Sequence, residues 1–154
     1  MYAKGDEQAA VDFLVEQWKS IERSDMIDDW PLGVVQGFFK KGLFDNAPLI
    51  QYVTNLLSQY DGLKRIFLMG VVDANKGTYI TFDETVDFKE LPIYVAASAA
   101  IPAVFPYIIH DGIVMIDGGV MINLDTISPI LRCKELVPEE DIILDIIMAH
   151  PGNF

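Results

Sequence analysis

The sequence predicts an α/β layered fold, and three observations carry that expectation. Apolar residues recur at three- and four-residue spacing in two early segments, short apolar runs follow, and glycine-bearing turns separate pairs of those runs. With 154 residues, 51% of them hydrophobic, the chain can bury one real core, so one domain is expected.

Asp6 stands where an N-cap belongs, before a helix whose Val11, Leu14, Val15 and Trp18 form an apolar stripe between acids. From Ser24 to Asn46, turn formers (Asp25, Asp28, Asp29, Pro31, Gly33, Gly37, Gly42) mix with Trp30, Phe38, Phe39 and Phe44, which predicts an irregular, partly packed segment. Pro48 suits a first helical turn, and Leu49, Val53, Leu56, Leu57 and Tyr60 then line one face of a second helix.

Residues 66–72, IFLMGVV, read as a strand covered on both faces. TYITF, 78–82, returns after Asn75-Lys76-Gly77, with Gly77 supplying the positive φ of a tight turn. Leu91 to Ile109 carries no formal charge over 19 residues, close to a membrane-spanning length. Pro92, Pro102 and Pro106 fall inside it and remove backbone donors that lipid cannot replace, so a short buried helix followed by a loop is expected instead. YIIH and IVMI flank Asp111-Gly112 as a second hairpin. After the acidic turn at 138–141, IILDIIMA (142–149) predicts a further buried strand.

A formal net charge of −12 repels polyanions, which argues against nucleic-acid binding and against docking on anionic membrane patches, and leaves neutral or zwitterionic substrates open. The single Cys133 excludes an internal disulfide and a multi-cysteine metal site, and fits a reducing compartment. MYAKGDEQ has no basic region followed by an apolar stretch, so it does not read as a secretory signal; the alternative is that Met1 is not the true start. No complete glycine-rich phosphate loop occurs, and a nucleotide-binding reading gains no support.

The chemistry concentrates in one stretch. Asp117-Gly118-Gly119 alone is ordinary turn composition. Its context is more specific: AASAAIPAVFP at 96–106, then the Asp111-Gly112 hairpin, then IDGGV, then Asn123 four residues after Gly119. This ordered set resembles the patatin-like phospholipase family, in which a small-residue helix ending in IP-x-x-FP precedes a hairpin that delivers an Asp-Gly-Gly acid. The segment after Asn123 departs from the family pattern, reaching a proline only at Pro129.

The resemblance implies a three-layer α/β/α patatin-like domain, with residues 1–154 a partial one lacking the N-terminal strand and nucleophile elbow. It makes Asp117 the general base of a Ser-Asp dyad, with Gly118 and Gly119 supporting it. A carboxylate shielded from water can activate a serine hydroxyl without a histidine relay. The aromatics of the 24–46 segment are then candidates to line an acyl pocket.

The other half of that machinery would be a G-x-S-x-G elbow preceded by a glycine-rich oxyanion loop. None of Ser20, Ser24, Ser58, Ser98 and Ser128 has glycines two residues away on both sides. Ser98 lies in the motif region, but within an Ala-rich helix it reads as a packing residue rather than a nucleophile. The expectation is therefore a chain that begins just downstream of the nucleophile: part of a lipid acyl-ester hydrolase in lipid metabolism, supplying the Asp and inactive alone. The alternative is a noncatalytic module that binds lipid or a partner protein.

The remaining candidates read as structural. His110 adjoins a turn and His150 precedes Pro151, neither with partners at metal-ligand spacing; Asp111 sits at a hairpin tip; Asp25, Asp28 and Asp29 lack the spaced calcium-loop pattern. No cofactor or metal is expected. The expected partner is a lipid or acyl-ester substrate, with peripheral membrane contact and a cytoplasmic or membrane-peripheral location. The oligomeric state stays open.

Overall fold

A computed structural model describes residues 5–147, apart from the side chains of Val34 and Phe38. The chain forms two compact units, Met1–Leu124 and Asp125–Phe154.

In the first unit, helix α1 (Glu7–Ser20) follows Asp6, whose carbonyl accepts the Ala10 N–H at 2.9 Å while its side chain makes no capping bond. Its apolar stripe faces outward: Val11, Leu14, Val15 and Trp18 are all exposed, Trp18 by 72%. The 24–46 segment is more ordered than its composition predicts. It holds helix α2 (Arg23–Met26), helix α3 (Gly33–Lys40) and a short antiparallel ribbon of β1 (Asp28–Asp29) with β2 (Phe44–Asp45). Gly33 takes φ +60 at the start of α3, and Lys41 closes that helix in the left-handed region at φ 63. Helix α4 (Ala47–Leu57) starts as its Pro48 requires, and its Leu57 is buried.

The rest of this unit is a four-stranded, wholly antiparallel sheet in the order β4-β3-β6-β5. Strands β3 (Leu68–Asp73) and β4 (Thr78–Asp83) form the first hairpin, with Gly77 at φ +66 as the turn demands. Asp73, only 2% exposed, completes that turn: its Oδ1 accepts the N–H groups of Asn75 and Lys76 at 3.0 and 3.3 Å. Strands β5 (Ile108–His110) and β6 (Ile113–Asp117) form the second hairpin around Asp111 (φ 49) and Gly112 (φ 75), both in the conformation that matches strand twist. The two hairpins join along β3 and β6 through three register pairs, Val71↔Asp117, Val72↔Ile116 and Asp73↔Met115.

Helix α5 (Leu91–Ser98) is apolar on all sides, which is why it lies buried against this sheet rather than on the surface. Val71, Tyr94, Ala97 and Met115 form the core cluster, with Met69, Ile80, Phe82, Val86, Ile108 and Ile113 packed on it. Met115 is fully buried at its centre. Met115→Ala is expected to cost about 2–5 kcal/mol through lost burial and a residual cavity. Thermal or denaturant unfolding measures it, and a loss under ~1 kcal/mol would mean the cluster is not the core it forms here.

The second unit contains helix α6 (Ile127–Lys134), whose start is capped by Asp125: its Oδ1 accepts the N–H groups of Ile127 and Ser128, each at 3.0 Å. Arg132 and Glu135 pair at 2.6 Å across its last turn. Cys133 is an exposed free thiol. The strand predicted for 142–149 is not formed over its described part. Residues 142–147 have no regular structure, Ile143 and Ile147 are 87% and 93% exposed, and 148–149 lie outside the described residues. An apolar run becomes a strand only where a neighbouring strand takes up its backbone donors and acceptors, and among the described residues none pairs with this one.

Candidate active site

The residues that carry the family resemblance assemble around the end of β6. Asp117 is the register partner of Val71, so its Cβ leaves the sheet on the side that α5 covers. Its backbone N–H donates to Ala100 O at 3.0 Å, which ties the acid to the chain leaving α5. The strand then turns directly into one 3-10 turn, Gly118–Val120. Within that turn the Gly119 N–H donates to Asp117 Oδ1 at 2.6 Å. The carboxylate is partly exposed, and among the described residues no hydrogen bond engages its Oδ2.

The two glycines have separate reasons. Gly118 is buried against β3, and a Cβ there would stand 2.6 Å from Gly70 O and 3.1 Å from Tyr79 Cε2. Gly70 is equally cramped, because a Cβ on it would overlap the Tyr79 hydroxyl. A Cβ on Gly119 would meet side chains instead, Asp117 Oδ1 at 2.9 Å and Asn123 Oδ1 at 3.1 Å. Gly118 therefore sets how close the turn comes to the sheet, and Gly119 leaves the space that the acid and Asn123 share.

Ser98, the last residue of α5, donates from Oγ to Gly70 O at 2.8 Å. Its hydroxyl links α5 to the same β3 carbonyl on which Gly118 packs, a structural use that agrees with its reading as a packing residue. The IP-x-x-FP stretch also has a partner. Ala103, at φ 68, bridges Gly42, and the Leu43 and Phe44 N–H groups donate to Ala103 O and Val104 O at 3.0 Å each. Gly42 must be glycine here, since a Cβ would lie 2.5 Å from Phe105 C and Pro106 N. Trp30 Nε1 donates to Gly42 O at 2.9 Å, so an aromatic of the 24–46 segment braces this loop. Phe39 is 79% exposed, and Trp30 and Phe44 lie under the cationic heads of Lys40 and Arg23.

The other sequence candidates fall elsewhere. Asp25 Oδ2 accepts the Glu22 N–H in a capping box, and Asp29 pairs with Arg23 at 3.1 Å. His150 lies outside the described residues. His110 ends β5 beside the turn, with its side chain 19% exposed and its ring in a T-shaped contact with Tyr94 at 5.4 Å. The fold also brings Glu90, 20 positions upstream, to its Nε2, a proximity that sequence spacing does not reveal.

Chemically, the end of β6 presents a carboxylate oriented through one oxygen and open at the other, on a turn fixed by backbone-to-backbone packing. A carboxylate held this way can take up or release a proton at its open oxygen. The family model of the patatin-like phospholipases matches residues 1–130, and the chain belongs to that family. It is a family of lipid acyl hydrolases, built on a three-layer α/β/α fold. Compared with curated proteins, the chain gives no match. Among the described residues no helix is long and apolar enough to cross a membrane.

Proposed function

We propose that this chain supplies the acid of a Ser-Asp dyad in a lipid acyl-ester hydrolase of lipid breakdown, and that by itself it does not turn over esters. The observation that supports this most is the orientation of Asp117, held through Oδ1 by the Gly119 N–H with Oδ2 left to accept a proton. In this reading the nucleophile comes from a G-x-S-x-G elbow outside these 154 residues, which contain none. Asp117 takes the serine proton as the serine oxygen attacks the ester carbonyl, the alcohol leaves with a proton, and Asp117 then activates water against the acyl-enzyme. No metal or cofactor is needed for these steps.

A second reading, a noncatalytic lipid- or protein-binding module with peripheral membrane contact, draws on the exposed apolar stripe of α1. With the formal charge at −12, the lipid surface it would suit is zwitterionic rather than anionic.

One experiment separates the two. The chain alone and the chain preceded by its in-frame upstream segment are incubated with short acyl esters and with phosphatidylcholine vesicles. Hydrolysis only in the longer protein is expected. A longer protein that bears the elbow yet releases no fatty acid, while the chain pellets with vesicles, would replace the first reading with the second.

A further inference from the structure

At the far end of β6 from Asp117, three side chains from two elements converge. Glu90 stands at the N-cap position of α5 with no capping bond from its side chain, while His110 ends β5 and Asp111 opens the hairpin turn. His110 Nε2 lies 3.3 Å from Glu90 Oε2 and 3.6 Å from Asp111 Oδ2. One donor atom from each of the three residues lies within 4.8 Å of the others. Two donors bound to one ion at about 2.0–2.1 Å in tetrahedral array stand about 3.4 Å apart, so both measured separations match an edge of that polyhedron.

The histidine supplies the second observation. Nε2 is shielded from solvent, yet no hydrogen bond of acceptable geometry engages it, despite two carboxylates within reach. A plain ion pair would direct an N–H at one of those oxygens. Here neither oxygen receives one.

We propose that Glu90, His110 and Asp111 bind one divalent transition cation of the Zn2+ type, clamping the start of α5 to the β5–β6 hairpin. An imidazole nitrogen with two carboxylate oxygens suits Zn2+ and its neighbours, whereas Ca2+ and Mg2+ favour all-oxygen sets. The Glu90 and Asp111 side chains are 41% and 71% exposed, so the ion has an entry path and water can complete its coordination. The turn itself presents Asp111, whose left-handed φ of 49 places an acid beside the last residue of β5. The site lies about 14 Å along β6 from Asp117 at the usual rise per residue, so its role is to hold α5 and not to take part in ester chemistry.

The test is calorimetric titration of the chain with Zn2+ alone, with Co2+ absorption reporting coordination geometry. One equivalent is expected, with a four- or five-coordinate Co2+ spectrum and a raised unfolding temperature. His110→Gln, Glu90→Gln and Asp111→Asn should each weaken binding by more than about 100-fold, beyond what an outer-shell change costs. Cys133→Ser should leave stoichiometry and affinity unchanged. If His110→Gln folds poorly, the two exposed carboxylate variants carry the test, since Asn also tolerates the left-handed conformation at position 111. Absence of saturable binding, or binding that survives both carboxylate variants, overturns the site.

Discussion

In a protein that carries the serine elbow, Asp117→Asn should reduce kcat by about 10³-fold, within the range a positioned general base contributes. The substitution is nearly isosteric, and the amide oxygen can keep accepting the Gly119 N–H that now holds Oδ1 at 2.6 Å. Fold and unfolding temperature should therefore persist, and KM should change little, because the lost interaction is with the proton transferred in the transition state. Steady-state kinetics on a short acyl ester, alongside thermal unfolding, read both. Activity above a tenth of the unsubstituted level would remove Asp117 from the proposed role.

Gly118→Ala should act mainly on stability, by about 2–3 kcal/mol, because the new methyl meets the Gly70 carbonyl, which as backbone cannot swing aside. The clash at 2.6 Å lies where β6 is joined to β3, so relief requires the turn to lift from the sheet. Gly119→Ala provides the contrast: its methyl meets the tips of Asp117 and Asn123, which can rotate away, so it should disturb the acid more than the fold. Denaturant midpoints at constant m-value, compared with turnover, distinguish the two. Equal stability losses for both variants would contradict the packing described here.

Where local chemistry decides the structure, the sequence is readable. Asp111-Gly112 specifies its two-residue turn, Gly77 its positive φ, Pro48 a helix start, and the uncharged Leu91–Ser98 a buried helix. The Asp-Gly-Gly turn is readable for the same reason, since each glycine answers a steric demand nearby. Helix α3 is not, because its start needs Gly33 at φ +60 and its packing needs Gly37 against Gly42 O, glycines that composition alone assigns to loops. The Gly42–Ala103 bridge leaves no local mark at all; an alanine in the left-handed region has no signature. IILDIIMA fails in the opposite sense, its apolar pattern being adequate but its described part having no strand beside it. Glu90 and His110 meet only through the docking of α5 on the second hairpin.

The join between the hairpins bears on more than topology. Six register pairs hold β3 to β4, but only three hold β3 to β6, and Asp117 occupies the terminal one. Ladders fray from their ends, and a short seam opens at lower free energy than a long one. The acid is thus positioned at the end of one of the sheet's two short, three-pair seams, with the Ala100 carbonyl and the Gly118 contact on Gly70 as its remaining anchors. Its order is a property of the seam: anything that tightens the three pairs sharpens the carboxylate's aim, and anything that loosens them blurs it before the rest of the fold has yielded.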